Sequence, residues 1–127
     1  MFLGLRTVIY PTADLDAAKA WFTRVLGAEP SFDEPFYVGW SVAGYELGLD
    51  PNASLQAGAV SYWGVPDCDA AWAALIAAGA TARDAVREVG DGIRVATVTD
   101  PESSVIGVIE NPHFLPSEAV AGRGPGR

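Results

Sequence analysis

The chain has 127 residues, half of them hydrophobic, with 16 acidic against 8 basic side chains and a formal net charge of −8. That length and apolar content suit one folded domain with a modest core, and the acidity argues against nucleic acid and anionic membranes as partners. Cys68 and His113 are the only residues of their kinds, which excludes an intrachain disulfide, a cysteine-based zinc site and any mononuclear site that needs two histidines from one chain. The opening residues MFLGLRTVIYPT carry no signal-peptide pattern, and no apolar run reaches the length of a membrane span. A cytoplasmic protein is expected.

The first element in chain order is a strand in RTVIYP. Asp14 follows as a helix N-cap, because its carboxylate accepts backbone N–H groups that the first turn leaves unpaired. The helix carries Ala18, Phe22 and Val25 as one apolar stripe and stops at Gly27, where the chain needs a left-handed residue. Three strands are predicted next, near residues 29–33, 36–42 and 45–50, with Ala43-Gly44 as a tight hairpin turn. The pattern then repeats. In GAVSYWGVPDCDAAWAALIAAGATA a strand leads to Asp67, a helix with Ala71, Leu75 and Ala78 at the same offsets, and Gly79. Strands near 81–89, 92–99 and 104–110 follow, with Asp91-Gly92 as the matching turn. The chain therefore reads as βαβββ repeated once. We expect a single domain over residues 1–115, with modules at about 4–52 and 57–112, and a flexible Gly/Pro-rich tail over 116–127.

Two residues with reactive side chains have plain structural readings. Cys68 lies in the first turn of the second helix and reads as a small buried residue, not a nucleophile. His113 follows the last strand and reads as a surface hydrogen-bonder. Less ordinary are two strand-centre glycines, Gly48 in YELGLDP and Gly107 in VIGVI. A glycine there gives up packing at a cost of about 0.5–1 kcal/mol relative to Ala.

Tandem βαβββ modules carrying TVIYPTADLDAAKAWFTRVLG, VSYWGVPDCDAAWAALIAAG and DPESSVIGVIENP resemble the vicinal oxygen chelate superfamily of glyoxalases, bleomycin resistance proteins and dioxygenases. The resemblance implies an α+β fold in which the two modules form a curved mixed sheet around a pocket. In enzymatic members four strand positions hold a divalent metal. Carried onto this chain, those positions are Thr7, Gly48 or (with a shift of two) Glu46, Val60 and Gly107. At most one of them is a strong donor, whereas a divalent cation needs several oxygen or nitrogen ligands together. No metal and no other cofactor is expected, and no catalytic residue is assigned.

Strand alternation puts Thr7, Glu46, Gly48, Val60, Tyr62 and Gly107 on one face. The glycines on that face leave volume that an organic ligand would fill. Tyr62 adds a flat surface with a hydroxyl, Glu46 a negative charge, and Trp40 a further aromatic wall whose facing the unequal hairpins leave open. These seven residues are the expected ligand-binding set. The expected function is sequestration of a small aromatic or cationic compound by a metal-free homodimer of the bleomycin-resistance type. The alternative is a divergent glyoxalase- or dioxygenase-like enzyme whose metal site is completed in another way, or which uses Glu46 with Tyr62 as an acid–base pair.

Overall fold

A computed structural model of the chain describes residues 1–114, so the expected tail lies outside the described residues. It contains β1 (Gly4–Pro11), α1 (Leu15–Leu26), β2 (Phe32–Glu34), β3 (Tyr37–Val42), β4 (Tyr45–Asp50), β5 (Val60–Gly64), α2 (Cys68–Ala77), β6 (Thr81–Gly90), β7 (Ile93–Thr99) and β8 (Val105–Glu110). The order is βαβββ twice. The chain divides into two units, residues 7–59 and residues 1–6 with 60–114.

In the first unit the strands lie in the order β2-β3-β4-β1, with β1 parallel to β4 and the remaining pairs antiparallel. Asp14 caps α1 through its carboxylate on the Ala17 N–H at 3.1 Å. Gly27 ends it in the left-handed region at φ 68°, returning its N–H to the Thr23 carbonyl. The buried cluster is Val38, Trp40 and Leu49, against which Leu15, Ala18, Phe22, Leu26 and Leu47 pack. Val25, expected inside, is 58% exposed. One residue on the helix is about 100° of rotation, and the stripe continues from Phe22 to Leu26 by the i+4 step. The strand expected at 29–33 is the short piece Phe32–Glu34, since Ser31 instead donates its N–H to the Gly39 carbonyl from outside the ladder.

The second unit repeats this plan with β5-β8-β7-β6, β5 being parallel to β8. Asp67 caps α2 on the Ala70 N–H at 3.1 Å, and Gly79 follows the helix end at φ 111°. Its buried cluster is Val65, Cys68, Ala71, Ala96 and Val108, joined by Trp72, Leu75 and Val86. Ala78, expected on the stripe, is the exposed C-cap. Trp72 supplies the bulk instead and satisfies its indole N–H on the Thr97 carbonyl at 3.0 Å. The N-terminal residues belong here: Leu3 N–H donates to the Gly64 carbonyl, and Phe2 stacks on Trp63 with centroids 5.2 Å apart.

Both hairpins turn on two residues with positive φ, Ala43 and Gly44 at 53° and 88°, Asp91 and Gly92 at 54° and 76°. That is the type I′ geometry, whose twist matches the flanking strands. Among the described residues no helix is long and apolar enough to cross a membrane.

Candidate functional site

In the first unit the face opposite α1 is built by strand parity. On β1 and β4, Thr7 stands beside Glu46 and Ile9 beside Gly48. On β3, Gly39 stands opposite Gly48 and Ser41 opposite Glu46. On β2, Phe32 stands opposite Gly39 and Glu34 opposite Tyr37. Thr7 is buried, and its hydroxyl donates to Glu46 Oε1 at 3.2 Å. That bond orients the carboxylate of a residue that is itself exposed.

The volume above the two glycines is filled. A Cβ built on Gly48 would lie 1.8 Å from the Tyr37 hydroxyl, and one on Gly39 would lie 3.0 Å from Glu46 Oε2 and 3.3 Å from Tyr37 Cε2. The Tyr37 ring therefore crosses from Gly39 to Gly48, and the Glu46 carboxylate lies down on the strand beside it. Glycine is required at both positions for this close approach, since neither has a positive φ.

The second unit carries a counterpart. Tyr62, Gly107 and Thr97 stand side by side on β5, β8 and β7. A Cβ on Gly107 would lie 2.4 Å from Tyr62 Cδ1, so this ring too lies over its glycine. Thr97, also buried, donates its hydroxyl to Asp84 Oδ2 at 2.7 Å and accepts from the Asp84 N–H at 3.1 Å. Each unit thus holds a buried threonine on a carboxylate next to a strand glycine roofed by a tyrosine.

The structure groups Thr7, Glu46 and Gly48 in the first unit, and Tyr62 and Gly107 in the second. Val60 opens β5 as a half-buried apolar residue. Trp40 faces the other way: it shares the parity of Val38, is fully buried under α1, and donates its indole N–H to the Ala28 carbonyl at 2.9 Å. Its ring is a packing element of the core. Sequence reasoning missed Tyr37, Gly39, Phe32 and Asp84. The available signal was FYVGW, in which Tyr37 and Gly39 share a parity just ahead of the Ala43-Gly44 turn.

Cys68 is fully buried, and burial pushes its thiol up to about 11 from 9.0. A thiol so disposed is inert at neutral pH. Its backbone N–H donates to Glu110 Oε1 at 2.9 Å, so Glu110 serves the start of α2. The His113 ring lies 2.8 Å from the Asp91 carbonyl at the surface.

The divalent metal that the resemblance implies does not fit the residues present. Val60 is apolar, Gly48 and Gly107 lack side chains, and tyrosine rings take the space where longer ones would stand. Among the described residues no three His, Cys, Asp or Glu side chains gather as a metal site.

Two βαβββ modules, each presenting a sheet face opposite its helix, define a class of small α+β proteins. The family model for the Glyoxalase/Bleomycin resistance protein/Dioxygenase superfamily matches residues 4–107, and the chain belongs to that superfamily. No curated protein matches the chain in sequence. Among solved structures it is similar to a Streptomyces coelicolor methylmalonyl-CoA epimerase variant in complex with 2-nitronate-propionyl-CoA, at 17% identity and TM-score 0.70 over 90% of this chain and 98% of that one. It is also similar to a superfamily member from Vibrio splendidus, at 18% identity and TM-score 0.64 over 84% and 97%. The Mn(II)-bound glyoxalase from Novosphingobium aromaticivorans matches at 21% identity and TM-score 0.64 over 86% of this chain and 39% of that one. At these identities the likeness is one of fold.

Proposed function

We propose that this protein binds a small organic molecule without a metal, on the sheet face that carries Thr7, Tyr37, Glu46 and Gly48. The observation that carries the reading is the tyrosine over Gly48, repeated by Tyr62 over Gly107. At two of the positions where the resemblance implies metal donors, Gly48 and Gly107, this chain presents phenol rings. A phenol ring with a hydroxyl, beside an oriented carboxylate, binds flat or positively charged organic groups and offers a metal ion little. The bleomycin-resistance type within the resemblance favours sequestration over turnover. The homodimer rests on the resemblance.

A thermal-shift screen of a small-molecule library, with hits confirmed by calorimetry, tests the reading. Saturable ligands should raise the melting temperature, by an amount that grows with ligand concentration, and Tyr37→Ala should weaken them. A library with no saturable ligand, on protein whose melting is otherwise cooperative, contradicts it.

A further inference from the structure

The sheet face of the first unit extends beyond Glu46 and Tyr37 to aromatic residues that the fold leaves in the open. Phe32 is 46% exposed and Phe36 is 59% exposed. Their ring centroids lie 6.0 Å apart with planes at 70°, and Phe32 lies 6.1 Å from Tyr37 with planes at 59°. Phe32 is thus inclined to both neighbours instead of stacked flat on either. Leaving two neighbouring phenylalanines about half exposed forgoes part of the roughly 1.5–3 kcal/mol that full burial of each would give.

The charge around the rings has one sign. Glu34 pairs directly with Tyr37 across β2 and β3. Glu46 lies on the other side, its carboxylate over Gly39 within reach of the same ring and held there by Thr7. Among the paired positions on this face of β1 to β4, the charged side chains are Glu34, Glu46 and Asp50, and none is a lysine or arginine. Asp33, of opposite parity on β2, turns away to pair with Lys19 of α1. Thus the carboxylate that has a lysine partner lies on the helix side, and two that flank Tyr37 lie on the ring side.

We infer that this face is a cation site: Phe32, Phe36 and Tyr37 receive a quaternary or protonated amine of a small organic molecule, with Glu46 and Glu34 supplying the countercharge. Ring faces carry negative potential and attract such a group, most strongly where water is displaced. A carboxylate fixed by a buried hydroxyl loses little freedom on binding, so its attraction is retained. The inference rests on the binding reading above and narrows its ligand class from aromatic or cationic to cationic.

The test uses choline and its neutral carbon isostere 3,3-dimethylbutan-1-ol as probes of the full chain, followed by amide NMR shifts. Choline should perturb the β2–β3 hairpin and Glu46 saturably at millimolar concentration, and the isostere should bind at least about tenfold more weakly. Phe36→Ala, at an exposed position, should leave the melting temperature in place and weaken choline severalfold. Glu46→Gln keeps an acceptor for Thr7 and should weaken choline while leaving the isostere unchanged. Equal binding of the two probes, or choline shifts indifferent to Phe36→Ala and Glu46→Gln, overturns the inference. Neutral aromatic hits in the library screen would then still support a binding protein, so the two readings fail separately. Flotation with phosphatidylcholine vesicles in place of free choline binding would assign the headgroup chemistry to a membrane and likewise overturn the small-molecule source.

Discussion

A glycine in a strand is ordinarily a small loss, and replacing it with alanine recovers about 0.5–1 kcal/mol. Gly107 and Gly48 should depart from that rule in different degrees. At Gly107 the new methyl meets the inner ring atoms of Tyr62 at 2.4–2.8 Å, close to where that side chain leaves its backbone. The ring has no short way out, and Gly107→Ala should cost about 1–3 kcal/mol as overpacking. In a Tyr62→Ala background the same change should be neutral or stabilising, so a double-mutant cycle in urea reads the contact directly. At Gly48 the methyl meets the hydroxyl end of Tyr37, which can swing aside. Gly48→Ala should therefore spare stability but move Tyr37 away from Glu46, and ligand affinity should fall while the urea midpoint holds. Equal destabilisation by the two changes contradicts this account. The sequence makes both glycines conspicuous and gives a wrong reason for them. Parity places them on one face, but whether the space above is open depends on the reach of a tyrosine from a neighbouring strand, which no local pattern encodes.

At the scale of elements, the start of α2 joins several charges to one buried thiol. Asp67 caps the helix, Glu110 reaches from β8 to the Cys68 N–H, and Arg94 bridges Asp69 at 2.7 Å and Glu110 at 3.6 Å. Acidic groups at a helix N-terminus complement its unpaired N–H groups and its dipole. Burial keeps the Cys68 thiol protonated up to about pH 11, while in the unfolded chain it ionises near 9.0. Its folded-state value is raised, so its contribution is fully present below pH 9 and is lost as the pH climbs through 11, on the order of 3 kcal/mol in all. Cys68→Ala lacks that linkage. Urea unfolding of the two proteins from pH 8 to 11 should show the stability gap between them narrowing; a constant gap contradicts the assignment. The element order, both Asp N-caps, both glycine stops and both two-residue turns are legible in the sequence, because each rests on residues adjacent in the chain. The details that escape it depend on tertiary packing: Leu26 in place of Val25 under α1, Trp72 filling where Ala78 cannot, and the short β2.

At the scale of the whole molecule, duplication accounts for Gly48 and Gly107, which stand at equivalent places on β4 and β8, but each module covers its glycine from a different strand. The buried threonines Thr7 and Thr97 hold Glu46 and Asp84, and the tyrosines Tyr37 and Tyr62 cover Gly48 and Gly107. This second layer of repetition is invisible in sequence alignment of the modules, because Tyr37 precedes its glycine on β3 whereas Tyr62 stands on β5. Trp40 illustrates the same limit. Its aromatic character is evident, but its facing is fixed only by the register of β3 on β4, which pairs it with Leu47 and turns it under α1. The superfamily scaffold is thus retained while two strand glycines, Gly48 and Gly107, lie under tyrosine rings, and we propose that this cover replaces a metal site.

That exchange is the central claim, and metal content tests it most directly. Protein purified without chelator from medium supplemented with Mn, Fe, Ni and Zn, then analysed by plasma mass spectrometry, should carry none of these metals at a stoichiometric level. Titration of the same protein with each ion in a calorimeter should give no saturable heat. One tightly bound ion per chain, lost on Thr7→Ala or Glu46→Gln, would contradict the account and restore the metal-dependent reading of the fold.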